Sequence, residues 1–181
     1  MDRLRRAAVL TRLIKELRDQ GSWCGETHVQ KAAYFLRQLM KVPLDLDFIL
    51  YKHGPFSFDL RDELTALRAD GLIGLEPQWP YGPQIVLTDR SEYIQGLFRD
   101  TLKKYAGCIS FVAKKLGGKD VSELERLATA LFVSGHAQAD ASIEERAEEI
   151  TRLKPHISLE TAMNAVKDVD RISEEARTRL K

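Results

Sequence analysis

The side chains that most often hold metal ions or act as nucleophiles are sparse in this sequence. Histidine and cysteine together occupy six positions, Cys24, His28, His53, Cys108, His136 and His156. Their spacing contains no pair of histidines that would place two imidazoles on one helix face. Cys24 and His28 are four residues apart, but a predicted helix begins between them, so the spacing gives them no shared face. We therefore expect no metal ion and no other cofactor.

Motifs for covalent catalysis or phosphate binding are also missing from the sequence. No serine lies in a Gly-x-Ser-x-Gly turn, and Gly117-Gly118 lacks the lysine of a phosphate-binding loop and lies between predicted helices. These observations predict a protein that is not an enzyme. One enzymatic alternative stays open, a hydrolase built around Cys24 and His28 or around His53. It is kept because Cys24 lies near a predicted helix N-terminus, which can lower the pKa of a thiol.

The densest group of contact-prone side chains lies in the segment FILYKHGPFS, residues 48–57. Aromatic residues beside a rigid Gly-Pro turn bury large areas at low entropic cost when a partner binds. Phe48 and Leu50 are expected to pack in the core instead. For three other residues a binding surface and ordinary packing both stay open, namely Tyr51, His53 and Phe56.

The first half of the sequence predicts three helices, one short strand and one β-hairpin that position this group. Apolar residues recur three and four positions apart in the first two helices, and Thr27 with Gln30 predicts a capping box at the start of the second. Gly54-Pro55 predicts a turn, and Ser57 predicts the N-cap of the third helix. The predicted elements are a helix over 2–20, a helix over about 28–41, a strand over 44–51, a helix over 57–70 and a hairpin of 72–76 with 84–88.

The second half is predicted to be helical throughout. Capping boxes are expected at Ser122 with Glu125 and at Ser142 with Glu145. The predicted helices cover about 90–105, 107–116, 122–135, 142–154 and 158 onward, and the last fifteen residues are expected to fray. The predicted fold class is mainly α (α+β), with a winged-helix-like helical core and a short β-hairpin over residues 1–90. A C-terminal helical bundle over 91–181 is expected to pack on that core in one compact domain.

The charge distribution argues against a role in reading DNA. The sequence holds 28 Lys and Arg against 27 Asp and Glu, for a formal net charge of +1. In a winged helix, residues 57–70 would enter the DNA groove, yet their formal charges sum to −2, and the hairpin 72–87 holds only Glu76. The basic excess lies in residues 1–20 and 89–118, which are not shaped to read bases. A winged-helix DNA-binding transcriptional regulator is therefore kept as the alternative function, with nucleic acid a disfavoured partner.

The composition predicts a globular protein of the cytoplasm. Hydrophobic residues make up 44% of the sequence, which is enough for a folded core. The N-terminal segment carries charges throughout, unlike a signal peptide, and no apolar run approaches the ~18 residues of a membrane-spanning helix. Two distant cysteines are typical of a reducing compartment. We expect no interaction with a membrane.

Several segments of the sequence resemble one bacterial family. HVQKAAYFLRQL (28–39) and YKHGPFSFDLRDELTALRADGLI (51–73) are similar to the YwgA-like group, which is related to the Panacea or SocA-like antitoxin domain. Members of that group show Leu-Gln-Lys-x-x-Tyr-Phe on a helix and Tyr-x-x-Gly-Pro in a turn before the next helix. LERLATALFVS (124–134) and KPHIS (154–158) also resemble the C-terminal half of the group.

The resemblance implies a mainly helical module without enzymatic activity that binds a partner protein, in some members a toxin. We therefore predict an antitoxin-like or adaptor-like interaction protein that works by binding. The resemblance supplies no catalytic residue. The family pattern and the aromatic segment together define the predicted partner-binding site, which consists of Gln30, Lys31, Tyr34, Tyr51, His53, Gly54, Pro55 and Phe56.

Overall fold

A computed structural model describes residues 1–180, with the side chains of Gln78 and Tyr81 outside the description. These residues form eight helices and two antiparallel hairpins. The helices are α1 (Arg3–Asp19), α2 (Glu26–Gln38), α3 (Phe58–Ala69), α4 (Asp89–Leu97), α5 (Arg99–Leu116), α6 (Val121–His136), α7 (Ile143–Leu153) and α8 (Leu159–Leu180). The strands are β1 (Ile49–Tyr51), β2 (Gly54–Phe56), β3 (Ile73–Gln78) and β4 (Tyr81–Leu87).

The fold is mainly α with a small β component, which confirms the predicted class. Helices α1, α2 and α3 followed by the β3–β4 hairpin have the element order of a winged helix, with β3–β4 as the wing. The β1–β2 hairpin lies between α2 and α3 in the chain, and its strands pair Leu50 with Pro55 and Tyr51 with Gly54. The fold therefore displays two hairpins, one on each side of α3 in sequence.

Helix α1 lies in the interior and joins the two halves of the chain. The Asp2 carboxylate caps it by accepting a hydrogen bond from the Arg5 N–H. The helix packs against α2, α4 and α5, so the apolar core is continuous from the first half of the chain into the second. Its buried side chains cover a wide sector of the helix, as expected for a central element: Ala7, Ala8, Val9, Leu10, Thr11, Leu13, Ile14 and Leu17.

Helices α6, α7 and α8 pack against one another in the second half of the chain. Arg146 on α7 donates to both carboxylate oxygens of Asp170 on α8, at 2.7 and 2.8 Å. This bidentate geometry fixes the relative position of the two helices. Helix α8 extends to Leu180 through most of the segment that is expected to fray, and Lys181 lies outside the described residues.

Two of the predicted capping boxes are misplaced. Helix α2 begins two residues earlier than the Thr27 box requires, with Gly25 at the N-cap and no side-chain cap. Helix α6 begins at Val121, and its capping box joins Asp120 to Glu123, two residues before the predicted Ser122 and Glu125. Overlapping patterns of the same spacing explain this second error. The predicted N-cap at Ser57 and the predicted box at Ser142 with Glu145 are confirmed.

Two predicted boundaries are also wrong. The strand predicted over 44–51 is paired only from Ile49, because Leu44 and Leu46 alternate into the core without a neighbouring strand among the described residues. The alternation of leucine and aspartate in this segment therefore indicates burial of the leucines in the core and not pairing with another strand. The break between α4 and α5 falls at Phe98 and not between residues 105 and 107, which lie within α5.

Candidate functional site

The Gln30 side chain joins α2 to the chain entering α3. Its Nε2 donates to the Ser57 carbonyl oxygen, and the Ser57 N–H donates to its Oε1, both at 2.9 Å. Gln30 and Ser57 are both fully buried, so water cannot reach the Ser57 N–H and carbonyl groups. The two bonds from Gln30 therefore satisfy these backbone groups just after the hairpin ends. The same serine caps α3 through its hydroxyl, which accepts from the Leu60 N–H. Gln30 is therefore a support for the hairpin rather than part of a helix cap.

Lys31, the next residue on α2, supports the hairpin from below. Its side chain is only 1% exposed, and its Nζ donates to the Pro55 carbonyl oxygen at 2.9 Å. Burial lowers the pKa of this lysine from its ordinary 10.5 to about 8, while the nearby Glu125 carboxylate acts in the opposite direction.

Lys154 supports the same hairpin from the other half of the chain. Its Nζ donates to the Tyr51 carbonyl oxygen at 2.7 Å and also to the carbonyl oxygen of Lys52. Burial lowers its pKa, and the Glu125 carboxylate opposes that shift. The residue follows the end of α7, where the sequence predicts a helix stop before Pro155 and gives Lys154 no contact with the hairpin.

The Glu125 carboxylate on α6 lies between the cationic side chains under the hairpin. Its Oε1 is 4.0 Å from Lys154 Nζ and 3.8 Å from His156 Nε2, and its Oε2 is 3.4 Å from His53 Nδ1. Within residues 1–180, Oε1 has no hydrogen-bond partner. The side chain is 12% exposed, so it offsets the lysine charges in a setting where water screens them little.

Gly54 allows the hairpin to approach α6 closely. Its φ of +82° is in the left-handed region, which glycine adopts without strain. A Cβ at this position would lie 3.0 Å from Thr129 Oγ1 and 3.4 Å from the Glu125 carbonyl oxygen. Both requirements exclude a larger residue, so the glycine is needed for the contact between the hairpin and α6.

Three aromatic side chains pack together at the outer side of the hairpin, and we call them the aromatic patch: Tyr51 and Phe56 on its two strands and Phe58 at the start of α3. Their ring centroids lie 5.1 to 5.9 Å apart in tilted and edge-on arrangements. Tyr51 is 55% exposed and Phe58 is 41% exposed, whereas Phe56 is half-buried. Ile49 on β1, also exposed, extends the apolar surface. Such a cluster is larger than the scattered single apolar residues of an ordinary protein surface.

The structure divides the predicted partner-binding residues into two groups. Tyr51 and His53 are exposed and Phe56 is half-buried, so a partner can reach them. The other five are buried in this conformation, with Gln30, Lys31 and Tyr34 on α2 and Gly54 and Pro55 in β2. Burial keeps these five side chains from direct contact, and Gln30 and Lys31 support the backbone of the hairpin and of Ser57 instead.

Tyr34 belongs to the core rather than to the surface. Its ring lies 5.1 Å from that of Phe48, centroid to centroid, and burial raises the pKa of its phenol. Sequence reasoning missed Phe58 and Lys154. Phe58 lies directly after the N-cap serine, inside the segment 51–73 that the sequence already singled out. Lys154 lies in the segment 154–158, which the sequence also singled out, but no local pattern places it beside Tyr51, more than a hundred residues earlier in the chain.

Within residues 1–180, no hydrogen bond or ion pair joins Cys24, His28 and His53, the residues of the hydrolase alternative. Cys24 is fully buried, its Sγ lies 3.8 Å from the Ile14 carbonyl oxygen, and burial raises its pKa to about 12. The expected lowering of this pKa is therefore wrong, because desolvation outweighs the nearby helix terminus. His28 is buried at the start of α2, whereas His53 pairs with Glu125.

The charges of α3 are divided between two faces. Glu63 is buried and pairs with Arg6 at 2.7 Å, and Asp70 pairs with Arg3. Among residues 1–180, Arg61 and Arg68 have no carboxylate partner. The formal charge of −2 over residues 57–70 therefore includes two carboxylates that arginines of α1 already neutralise. The side chains of this segment that have no ion-pair partner among the described residues are less acidic than the formal charge indicates.

Within residues 1–180 no group of three or more His, Cys, Asp or Glu side chains is arranged to hold a metal ion. No helix formed by the same residues is both long enough and apolar enough to cross a membrane. Comparison of the sequence with protein-family models and with curated proteins found no match.

Proposed function

We propose that this protein is a non-enzymatic interaction module, antitoxin-like or adaptor-like, that binds a partner protein through the aromatic patch. The observation that carries this proposal is the patch itself, exposed on a short hairpin and the first turn of α3. Lys31 and Lys154 hold the backbone of the hairpin, and Gln30 holds that of Ser57, which leads into α3. His53, beside the patch, offers a polar contact at its edge.

The physical basis of the proposal is the combination of exposure and rigidity. Aromatic residues dominate the energetics of protein interfaces because each buries a large area with few rotatable bonds. Side chains and loops that are already ordered lose less entropy on binding. Hydrogen bonds from buried or largely buried side chains hold the backbone of residues 51–57, so the cost of ordering this hairpin is met before a partner arrives.

The resemblance to the Panacea or SocA-like antitoxin group supports the same conclusion. The positions that carry the resemblance include Gln30 and Lys31 on α2 and Gly54-Pro55 in the hairpin, and these residues make the contacts that support the patch. A partner of the kind that the group implies is a protein, in some members a toxin. The cytoplasm, as the predicted compartment, is part of this proposal.

Site-specific photo-crosslinking tests the proposal and identifies the partner in the same experiment. A photoreactive phenylalanine analogue is placed at Tyr51 in cells that make the protein naturally, and adducts are identified by mass spectrometry. We expect a discrete protein adduct from position 51. The matched control is the same substitution at Tyr93, a 70% exposed tyrosine on α4 outside the patch. Identical adducts from both positions, or none from position 51, would contradict the proposal.

The second candidate function is a winged-helix regulator that binds DNA. The specific observation in its favour is the pair of arginines on α3 without carboxylate partners among the described residues, Arg61 and Arg68, next to the wing. It predicts a salt-dependent mobility shift of duplex DNA that weakens when both arginines are changed to alanine. The absence of any shift at low salt would remove this candidate.

A further inference from the structure

A large open cleft lies between α3, the β3–β4 wing and the turn that joins α5 to α6. Its volume is about 830 Å³, within the range of sites that hold ligands or several side chains of a partner. Apolar side chains from four separate elements line it, among them Trp23, Leu64, Ile73, Leu75, Ile85 and Val121. An apolar lining of this size is suited to apolar groups rather than to solvent alone.

The wall that α3 contributes to the cleft is cationic. Arg61, Thr65 and Arg68 follow one another at helical spacing along it, and Lys119 lies on the opposite side. Both arginines are exposed and have no carboxylate partner among the described residues, whereas Lys119 pairs with Glu123 at 3.3 Å. Guanidinium groups that are free at an apolar cleft attract carboxylates, because a bidentate pair forms there with less competition from water.

The carboxylates on the opposite wall reduce the positive charge of the cleft only slightly. Glu26 and Asp120 also line the cleft, but the Asp120 carboxylate is used to cap α6 by accepting from the Glu123 N–H. Glu26 lies in the first turn of α2, whose N-cap, Gly25, has no side chain to bind the N–H groups of that turn. These amides add positive potential beside the Glu26 carboxylate.

Arg61 connects the cleft to the aromatic patch. Its guanidinium carbon lies 5.0 Å above the centroid of the Phe58 ring, while its side chain also lines the cleft. The patch and the cleft are therefore neighbouring parts of one surface, and a single extended segment can contact both.

We infer that the cleft receives a short peptide segment of the partner protein, with apolar residues that fill the cleft and acidic residues that pair with Arg61 and Arg68. This inference rests on the proposed function and names the chemistry of the partner. The apolar lining favours a peptide over a nucleic acid, because a phosphodiester backbone gains nothing from contact with leucine and isoleucine. Continuity with the patch favours an extended segment over a compact small molecule.

Selection from a random peptide display library on the full-length protein tests the inference. We expect the selected peptides to be enriched in Asp and Glu next to apolar residues. Affinity for a selected, labelled peptide should fall at least about tenfold when Arg61→Glu and Arg68→Glu are combined, since each change removes an ion pair and introduces repulsion. The neutral pair Arg61→Gln with Arg68→Gln should lose affinity in the same direction, to a smaller extent.

The matched control reverses two charges elsewhere. Arg99 and Lys103 are exposed on α5, one turn apart, so Arg99→Glu with Lys103→Glu alters the net charge equally and should leave affinity within about twofold. If the Arg61/Arg68 variant and the Arg99/Lys103 variant lost peptide affinity equally, general charge attraction would explain the binding, and that result would overturn the inference. So would a selection without acidic enrichment, or duplex DNA that displaces the peptide and binds more tightly through Arg61 and Arg68.

The outcome also separates this inference from the proposed function. Acidic peptides that bind in the cleft, together with no adduct from position 51, would leave the cleft site standing and remove the aromatic patch as the partner surface. An adduct from position 51, together with no effect of the arginine changes on peptide or partner binding, would keep the aromatic patch as the partner surface and remove the cleft site.

Discussion

At the scale of single residues, the most informative feature is a pair of buried lysines that serve the backbone. The Nζ atoms of Lys31 and Lys154 donate to carbonyl oxygens of the β1–β2 hairpin, and Glu125 offsets their charge. Burying a charged group costs free energy unless it is paired and hydrogen-bonded. The presence of two such groups under an exposed hairpin indicates that the hairpin conformation itself is what they maintain.

The lowered pKa of Lys31 predicts a stability that rises with pH. The folded protein releases this proton near pH 8, whereas the unfolded chain holds it to about 10.5, so the unfolded state binds more protons between these values. Stability should therefore increase from about pH 7.5 to 9, by about 1 kcal/mol from this residue. Lys154, whose pKa is also lowered, contributes in the same direction. The Cys24 thiol opposes the rise as pH passes through its ordinary pKa of 9.0, because the unfolded thiol loses its proton there while the folded-state pKa is raised to about 12.

Urea unfolding at a series of pH values measures this effect. The Lys31→Met variant should show a flatter dependence than the unmodified protein over pH 7.5 to 9, whatever its absolute stability. Lys15→Met, at an exposed position on α1, is the control and should keep the full slope. Parallel curves for the unmodified protein and Lys31→Met would show that Lys31 stays charged in the folded state across this range.

At the scale of elements, the sequence predicted those features that depend on neighbouring residues. Apolar spacing located the helices, and the hydroxyls of Ser57 and Ser142 located two of the caps, because a cap is made within one turn of chain. The box predicted at Thr27 failed because the Gln30 amide binds the Ser57 backbone, a contact across 27 residues. Periodicity contains no information about such distant pairs.

The contact between Gln30 and Ser57 predicts where the hairpin will loosen. In Gln30→Ala, the Ser57 N–H and carbonyl oxygen lose their buried partners, each at a cost of about 1–3 kcal/mol. Alanine keeps α2 intact because it is a strong helix former. Hydrogen exchange measured by mass spectrometry should therefore become faster in the segment 51–57 while α2 stays protected.

Gln38→Ala, at the other end of α2 and only half-buried, is the matched control for this experiment. It should leave the exchange of residues 51–57 unchanged. Equal protection of that segment in Gln30→Ala and in the unmodified protein would mean that the two hydrogen bonds do not hold the hairpin.

At the scale of the whole molecule, both halves of the chain build the candidate surface. Residues 1–118 carry a formal charge of +4 and residues 119–181 a charge of −3, so the near-neutral total is a cancellation between them. The hairpin lies in the first part, but Glu125 and Lys154, which support it, come from the second. Composition could predict the balance of charge, but only the folded chain shows that the two halves meet at this hairpin.

The role of the aromatic patch in binding is tested most sharply with the purified partner that photo-crosslinking identifies. Its affinity is measured by calorimetry for the unmodified protein, for Tyr51→Ala with Phe58→Ala, and for Tyr93→Ala. Because both patch residues are exposed, the double variant should keep its melting temperature, yet it should lose at least about tenfold in affinity, as expected for aromatic contacts at the centre of an interface. Tyr93→Ala should bind normally. A double variant that stays folded and binds as tightly as the unmodified protein would contradict the account.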